Sequence, residues 1–428
     1  MTDSPFDRLL SIRARETQEP PISFLMKRAL DDPDIISLAA GFVDQESLPA
    51  EFARSILDEL MSDPAAARAA LQYGSTIGRE SVRRRVAERL ERDGVPPPAD
   101  PDHVVIGNGS QQLLFIATDC LVDRGDIVLV EDPTYFVYLG VLNNIGARVM
   151  GVPTDGCGMR ADALRARLQS LERSGEISRL KILYLQTYYQ NPMGTNISAE
   201  RRAELWDVIE HFVNRGHEFV VFEDAAYRDL RYDGPDVPYM AHLDPTGRRI
   251  AVFGTFSKAF SPGLRLGWAY LPDWMTPHVL RQKGNHDFGT CNFTQTMIEM
   301  ALDRGLYDRQ VERLRGVYRD KAARMIRGIR EFLPPDARIV EPQGGLYVWV
   351  ELPADCPTGP DSALFEAALR HKVLYVPGRY CFCQEPGVEK PDSGMRLTYA
   401  MMPPDTVHEG LRRLGRAIEE TRTGAAVR

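Results

Sequence analysis

Between about residues 100 and 275 the chain alternates short β-rich runs with stretches of helical period, and this alternation limits the fold more than any other feature. The runs are "HVVIG", "DIVLVED", "RVMGVP", "LKILYLQ", "EFVVFED", "IAVFGTF" and "LGWAYLP". Between several of them lie helical patterns such as "QQLLFIATDCLV" and "SAERRAELWDVIEHFVNRG". Strands joined through helices run mainly parallel, and the helices cover both faces of the sheet. The expectation is therefore an α/β fold with a mainly parallel, seven-stranded sheet between helices.

After residue 300 the texture changes. A long charged helix pattern, "DRQVERLRGVYRDKAARMIRGIREFL", leads into "ARIVEPQGGLYVWVELP", which reads as two strands around a Gly-Gly turn. A helix, the strand "GMRLTYA" and a closing helix follow. The expected division of the 428 residues is a large unit over 51–300 and a small α+β unit over 301–428, with 1–50 packing on the small one.

Charge and cysteine usage exclude several function classes. With 52 basic against 60 acidic residues the net charge is −8, and no basic run of the kind that grips nucleic acid is present. The first twenty residues carry scattered charges and no apolar core, unlike a signal peptide, and no apolar stretch is long enough to span a bilayer. Six cysteines without nearby ligand-spaced histidines read as ordinary thiols rather than a metal site, in a reducing, cytoplasmic setting.

Ligands in open α/β sheets bind beyond the carboxyl ends of the strands, so the residues that follow each strand matter most. They are Asn108-Gly109-Ser110-Gln111-Gln112, Glu131-Asp132-Pro133-Thr134-Tyr135, Gln190-Asn191-Pro192-Met193-Gly194, Glu223-Asp224-Ala225-Ala226-Tyr227, and "GTFSKAFSPGLRLGW" over 254–268. Five strands thus deliver polar residues to one rim, which core packing does not require. The first group is a glycine turn opening a helix, able to hold a phosphate on free N–H groups. It is not a dinucleotide fingerprint, because Gln112 stands where a third glycine belongs. Asp224 ends a run expected to be buried, so it must be a cap, an ion-pair partner, a metal ligand without companions, or the partner of a protonated ring nitrogen. Lys258 could be a lysine with its stem buried at a strand end. Thr255, Ser257 and Arg265 nearby suit phosphate, however, and the Walker spacing is absent. An amine beside a phosphate site and a buried acid suits a Schiff base to a phosphorylated aldehyde cofactor.

These residues, with "LQYGSTIGRESVRRRVAERL" and "MRLTYA", form an ordered set that resembles the class I/II aminotransferases, fold type I of the pyridoxal-phosphate enzymes, over residues 36–400. The resemblance implies pyridoxal 5′-phosphate as cofactor and transfer of an amino group from an L-amino acid to a 2-oxo acid such as 2-oxoglutarate or pyruvate. It implies that Lys258 carries the internal aldimine and then shuttles a proton. It likewise implies Asp224 at the pyridine nitrogen, Asn191 and Tyr227 at the phenolic oxygen, and Tyr135 on the ring face. Ser110, Gln111, Thr255, Ser257 and Arg265 would hold the phosphate, and Tyr73 would reach the phosphate of a neighbouring subunit in a homodimer. Arg396 and the Gly41 backbone would receive the substrate carboxylate.

The closest pattern is that of the branch acting on 2-aminoadipate, aromatic or branched amino acids. Departures are Ala40-Gly41-Phe42-Val43 in place of a Gly-Gly-x-Pro step, Met193 where threonine is usual, and Thr187-Tyr188, with Tyr188 expected near the substrate entrance. The stretch 286–295 offers no arginine for a second carboxylate. Other reactions on the same scaffold (β-elimination, decarboxylation, oxidation) and a non-catalytic regulator stand as rivals. A regulator is disfavoured by the presence of both Lys258 and Asp224.

Overall fold

The structure, a computed structural model, describes residues 6–95 and 98–425. Residues 1–5 of the N-terminal segment and 426–428 of the small unit lie outside the described residues. The N-terminal segment contributes one short strand, β1 (Ile36–Ser37). The main sheet follows with β2 (Val104–Gly107), β3 (Ile127–Asp132), β4 (Arg148–Asp155), β5 (Gly158–Met159), β6 (Leu180–Gln186), β7 (Val220–Asp224), β8 (Ile250–Thr255) and β9 (Gly267–Tyr270). Their spatial order is β2-β9-β8-β7-β6-β3-β4-β5. The five strands from β8 to β4 pair in parallel, while β9 is antiparallel to both β8 and β2.

All seven runs of the sequence analysis are strands of this sheet. The eighth, β5, is a two-residue return antiparallel to β4, too short to leave a periodic signal. Side chains divide between the faces with period two. Ile127 and Leu129 of β3 join one apolar cluster and Val128 and Val130 the other; Ile250 and Val252 of β8 divide from Ala251 and Phe253 in the same way. Both faces are thus buried under helices, which is why the strands read as continuous apolar runs.

Beyond the sheet, β10 (Arg338–Ile339), β11 (Tyr347–Glu351), β12 (Val373–Leu374), β13 (Val376–Pro377) and β14 (Gly394–Thr398) complete the strands. Four of them form an antiparallel sheet in the order β10-β11-β14-β13, and β12 pairs in parallel with β1. The closing helix Pro404–Ala425 packs on β1 and β12, and the 27-residue helix Leu306–Phe332 packs on the closing helix. The N-terminal segment is held to this part by a buried ion pair: Lys321 Nζ meets Asp44 Oδ1 at 2.6 Å and also donates to the Ala400 carbonyl at 2.7 Å. Among the described residues no helix is long and apolar enough to cross a membrane.

Candidate active site

The carboxyl ends of β2, β7 and β8, the loop after β6 and the small antiparallel sheet surround a cavity of about 380 Å³. Twelve of the thirteen candidate residues of the sequence analysis line it: Gly41, Ser110, Gln111, Tyr135, Asn191, Asp224, Tyr227, Thr255, Ser257, Lys258, Arg265 and Arg396. The thirteenth, Tyr73, lies outside it with 82 % of its surface exposed, edge-on to the ring of Phe288 at 5.6 Å.

Local backbone explains the convergence. Gly109 takes a left-handed φ of +78° and so turns β2 directly into the helix Ser110–Asp119. A Cβ on Gly109 would stand 3.0 Å from an Arg265 guanidinium nitrogen, so the glycine leaves a cradle between the turn and Arg265. Arg265 itself adopts a left-handed φ of +53°, which brings its side chain back to that turn. Thr255 Oγ1 accepts from the Ser257 amide at 3.1 Å and donates to the Leu266 carbonyl at 3.2 Å, fixing the loop on either side of Lys258.

The charges are unbalanced in a telling way. Asp224 is buried, accepts from Tyr184 Oη at 2.7 Å and the Ala226 amide at 3.1 Å, and has no cation against it. Burial pushes its carboxyl up to about 6, against the pull of those two hydrogen bonds. Lys258 Nζ donates to the Gly41 carbonyl at 2.9 Å. Arg396, 2 % exposed, donates to Asn191 Oδ1 at 2.8 Å and the Ala39 carbonyl at 2.7 Å, while its Nε has no partner. None of Lys258, Arg265 and Arg396 forms an ion pair with a described residue. One cavity therefore collects a buried acid lacking a cation and three cations lacking an acid.

Tyr347 of β11 also lines the cavity, and sequence reasoning missed it. Its hydroxyl lies 3.2 Å from that of Tyr227, and the Arg396 guanidinium stacks over its ring at 4.3 Å. Burial raises the Tyr347 phenol, but the Arg396 and Lys258 cations and the hydrogen bond with Tyr227 outweigh it and hold the group below its usual value. Burial first, then Tyr347 and Tyr135, push Tyr227 well above. The only sequence signal for Tyr347 was its place beyond a Gly-Gly turn; its site role comes from pairing with β14, which carries Arg396.

Tyr188 corrects an expectation. It does not border the cavity but packs under Arg202 at 4.3 Å and donates its hydroxyl to the Val237 carbonyl at 2.8 Å. The buried guanidiniums of Arg202 and Arg228 both stand over its ring, so Tyr188 is an interior packing residue rather than part of an entrance.

A sequence profile described as "Aminotransferase class I and II" matches residues 33–414. The chain belongs to this family. It is 30 % identical over 418 residues to aromatic-amino-acid aminotransferase 1 of Thermococcus litoralis, covering 97 % of this chain and 94 % of the relative. A kynurenine aminotransferase from Pyrococcus horikoshii, solved in complex with PMP, superposes with a TM-score of 0.89 at 30 % identity over 98 % of both chains. An alpha-aminoadipate aminotransferase from Thermus thermophilus, complexed with N-(5′-phosphopyridoxyl)-L-leucine, gives 0.84 at 29 % identity over 98 % of this chain and 100 % of its own. The protein is a pyridoxal-phosphate-dependent aminotransferase of fold type I.

The aminotransferase's own residues fit that cofactor on chemical grounds. A protonated ring nitrogen would supply the cation that buried Asp224 lacks. The glycine cradle beside Arg265, at a helix N-terminus, suits a phosphate. The partnerless Arg396 Nε, in a fixed planar fork, is left for a carboxylate.

Proposed function

We propose that the aminotransferase acts on aromatic, branched or 2-aminoadipate-like L-amino acids and returns the nitrogen to a 2-oxo acid such as 2-oxoglutarate or pyruvate. The observation that carries the site assignment is the charge imbalance: one buried acid without a cation and three cations without acids around one cavity. In this reading Ser110, Gln111, Thr255, Ser257 and Arg265 hold the phosphate, and Asp224 keeps the ring nitrogen protonated. Asn191 and Tyr227 hydrogen-bond the phenolic oxygen, and Tyr135 stacks on the ring. The bound cofactor supplies an electron sink for the charge left on the substrate's α-carbon.

Lys258 would hold the cofactor covalently and would move the proton at the substrate's α-carbon. Its amine reaches the Gly41 carbonyl at 2.9 Å, so it sits beside the loop where the substrate carboxylate is placed. Arg396 orients that carboxylate through two parallel hydrogen bonds, and Asn191, bonded to the same guanidinium, ties cofactor and substrate positions together.

Ile22, Met26, Phe42, Phe136 and Val137 form the apolar side of the cavity, which suits an apolar or aromatic side chain. The related aromatic-amino-acid and alpha-aminoadipate aminotransferases support the same donor range. Tyr73, exposed and outside its own cavity, fits a role at the phosphate of a second copy, which makes the working unit a homodimer with shared sites. Residues 51–300 serve as the cofactor-binding unit, with 1–50 and 301–428 as the part that closes over substrate. Six free cysteines agree with a cytoplasmic setting. The test is a half-reaction screen: single amino acids added to the loaded protein in the absence of oxygen, with the spectrum and the released 2-oxo acid measured. Release of ammonia or carbon dioxide instead would refute transamination of that donor.

A further inference from the structure

Gln112 was the residue that spoiled the dinucleotide fingerprint, and its surroundings give it a different task. Its Oε1 accepts from the Asn108 amide at 2.8 Å, and its Nε2 donates to Asp287 Oδ2 at 3.0 Å. Asn108 Nδ2 donates to the same carboxylate oxygen at 3.2 Å. Asp287 is in turn paired with Lys283, whose Nζ lies 3.0 and 3.1 Å from the two carboxylate oxygens. Both side chains of the pair are removed from water, Lys283 completely and Asp287 to 13 % exposure. One carboxylate thus receives the side-chain amides of Asn108 and Gln112, on either side of the Gly109 turn into the helix Ser110–Asp119, and a fully buried lysine neutralises it.

Two parts of this arrangement are locally unfavourable. Asp287 is the last residue of the helix Thr276–Asp287, where the helix dipole disfavours an acid. A buried lysine loses its hydration, and burial lowers the Lys283 pKa although Asp287 opposes the shift. A carboxylate is nevertheless the group suited to the task, because it accepts two amides and the ammonium at once without needing a proton of its own. Asn108 is thereby held twice, at its backbone amide by Gln112 and at its side chain by Asp287, immediately before Gly109.

We propose that the Lys283–Asp287 pair, acting through Gln112 and Asn108, is a positioning device that pre-sets the 108–111 turn for the cofactor's phosphate. The inference rests on the reading that this turn and Arg265 hold that phosphate. It assigns a role to Asn108, Gln112, Lys283 and Asp287, none of which lines the cavity. The strut acts before binding, by removing conformations of the turn that cannot receive the anion.

The test compares two ligands that differ only in the phosphate. Cofactor-free protein is titrated with pyridoxal 5′-phosphate and with pyridoxal, and binding is followed by absorbance and protein fluorescence. Gln112→Leu and Asp287→Asn are each expected to weaken the phosphorylated ligand about tenfold, the effect of one or two lost hydrogen bonds, and to leave pyridoxal unchanged. Equal weakening of both ligands would mean general damage and overturn the proposal, as would an unchanged ratio in both variants. Arg265→Met separates the two layers of argument. If it lowers the ratio while Gln112→Leu and Asp287→Asn do not, the strut fails and the phosphate cradle stands. If it leaves the ratio unchanged, the cradle reading itself fails and the strut falls with it.

Discussion

Asp224→Asn should stabilise the cofactor-free protein at neutral pH, although it removes the acid proposed to pair with the cofactor's ring nitrogen. Burial raises the Asp224 carboxyl from 3.8 to about 6 in the folded chain. Below 3.8 both folded and unfolded forms hold the proton, and the group does not affect stability. Between 3.8 and about 6 the unfolded chain releases it first, so stability falls as pH rises; above that window the loss is complete. A shift of roughly two units corresponds to about 3 kcal/mol. Asparagine never ionises and escapes this loss. It keeps only one of the two contacts from Tyr184 and Ala226, at a pH-independent cost of about 1 kcal/mol. The variant should therefore match the wild type near pH 4.5 and exceed it by about 2 kcal/mol at pH 7. Urea unfolding of both proteins, freed of cofactor, measures the gap. Adding pyridoxal 5′-phosphate should reverse the order, since a ligand stabilises according to its affinity and the wild type alone offers the ring a carboxylate. A gap that does not change with pH would refute the reasoning, because it would show that Asp224 is not a buried acid awaiting a cation.

Glu131 gives the same logic without a ligand. It is fully buried, accepts from the Gln186 amide at 2.8 Å, and is pushed up to about 8 by burial first. Glu131→Gln should gain on the wild type as pH rises from 4.5 and level off above 8 at ~5 kcal/mol, an upper bound readable by unfolding at pH 6 and 9. Arg396→Lys replaces a planar fork by a point charge, so KM for both amino acid and 2-oxo acid should rise about 10–100-fold, more than kcat falls; steady-state kinetics with unchanged KM would remove Arg396 from carboxylate binding. Lys321→Met strands Asp44 as an unpaired buried acid and should destabilise by about 3–5 kcal/mol, most of it recovered by adding Asp44→Asn. A double variant no more stable than the single one in urea would deny the pair its role. Lys258→Ala should abolish the visible band of the loaded protein's covalent attachment, measured after removal of free cofactor.

Much of the sheet was legible because its strands are buried on both faces: seven continuous apolar runs, each with a turn after it, can be read without a partner sequence. The rim residues were legible for a related reason. Polar groups such as Asp224, at the end of the run "EFVVFED", conflict with the burial their position demands, and such conflicts mark sites. What could not be read depends on contacts between distant segments. Tyr347 enters the cavity only because β11 pairs with β14 in a register that sets Trp349 opposite Arg396. Tyr188 was misplaced because its sequence position beside "QNP" says nothing of Arg202 and Arg228, which close over its ring from other elements.

Arg396 shows how the two kinds of information join. On its own, an arginine in the strand "GMRLTYA" is indistinguishable from a solvated one. Buried to 2 %, it would be expensive to keep without an acid, and no carboxylate meets it among the described residues. Its two terminal nitrogens each use one of two N–H groups, on Asn191 and on the Ala39 carbonyl, which come from the large sheet's rim and from the N-terminal segment. The third faces no partner, and the aromatic rings of Tyr347 and Phe136 cover the guanidinium at 4.3 and 5.3 Å. These contacts fix the guanidinium between segments far apart in the chain, so its position reports whether those segments are together. In the proposed role, a substrate carboxylate completing it would join the N-terminal segment, the sheet rim and the small sheet in a single set of contacts. Binding energy from a group remote from the reacting carbon can in that way be used to assemble the site around it.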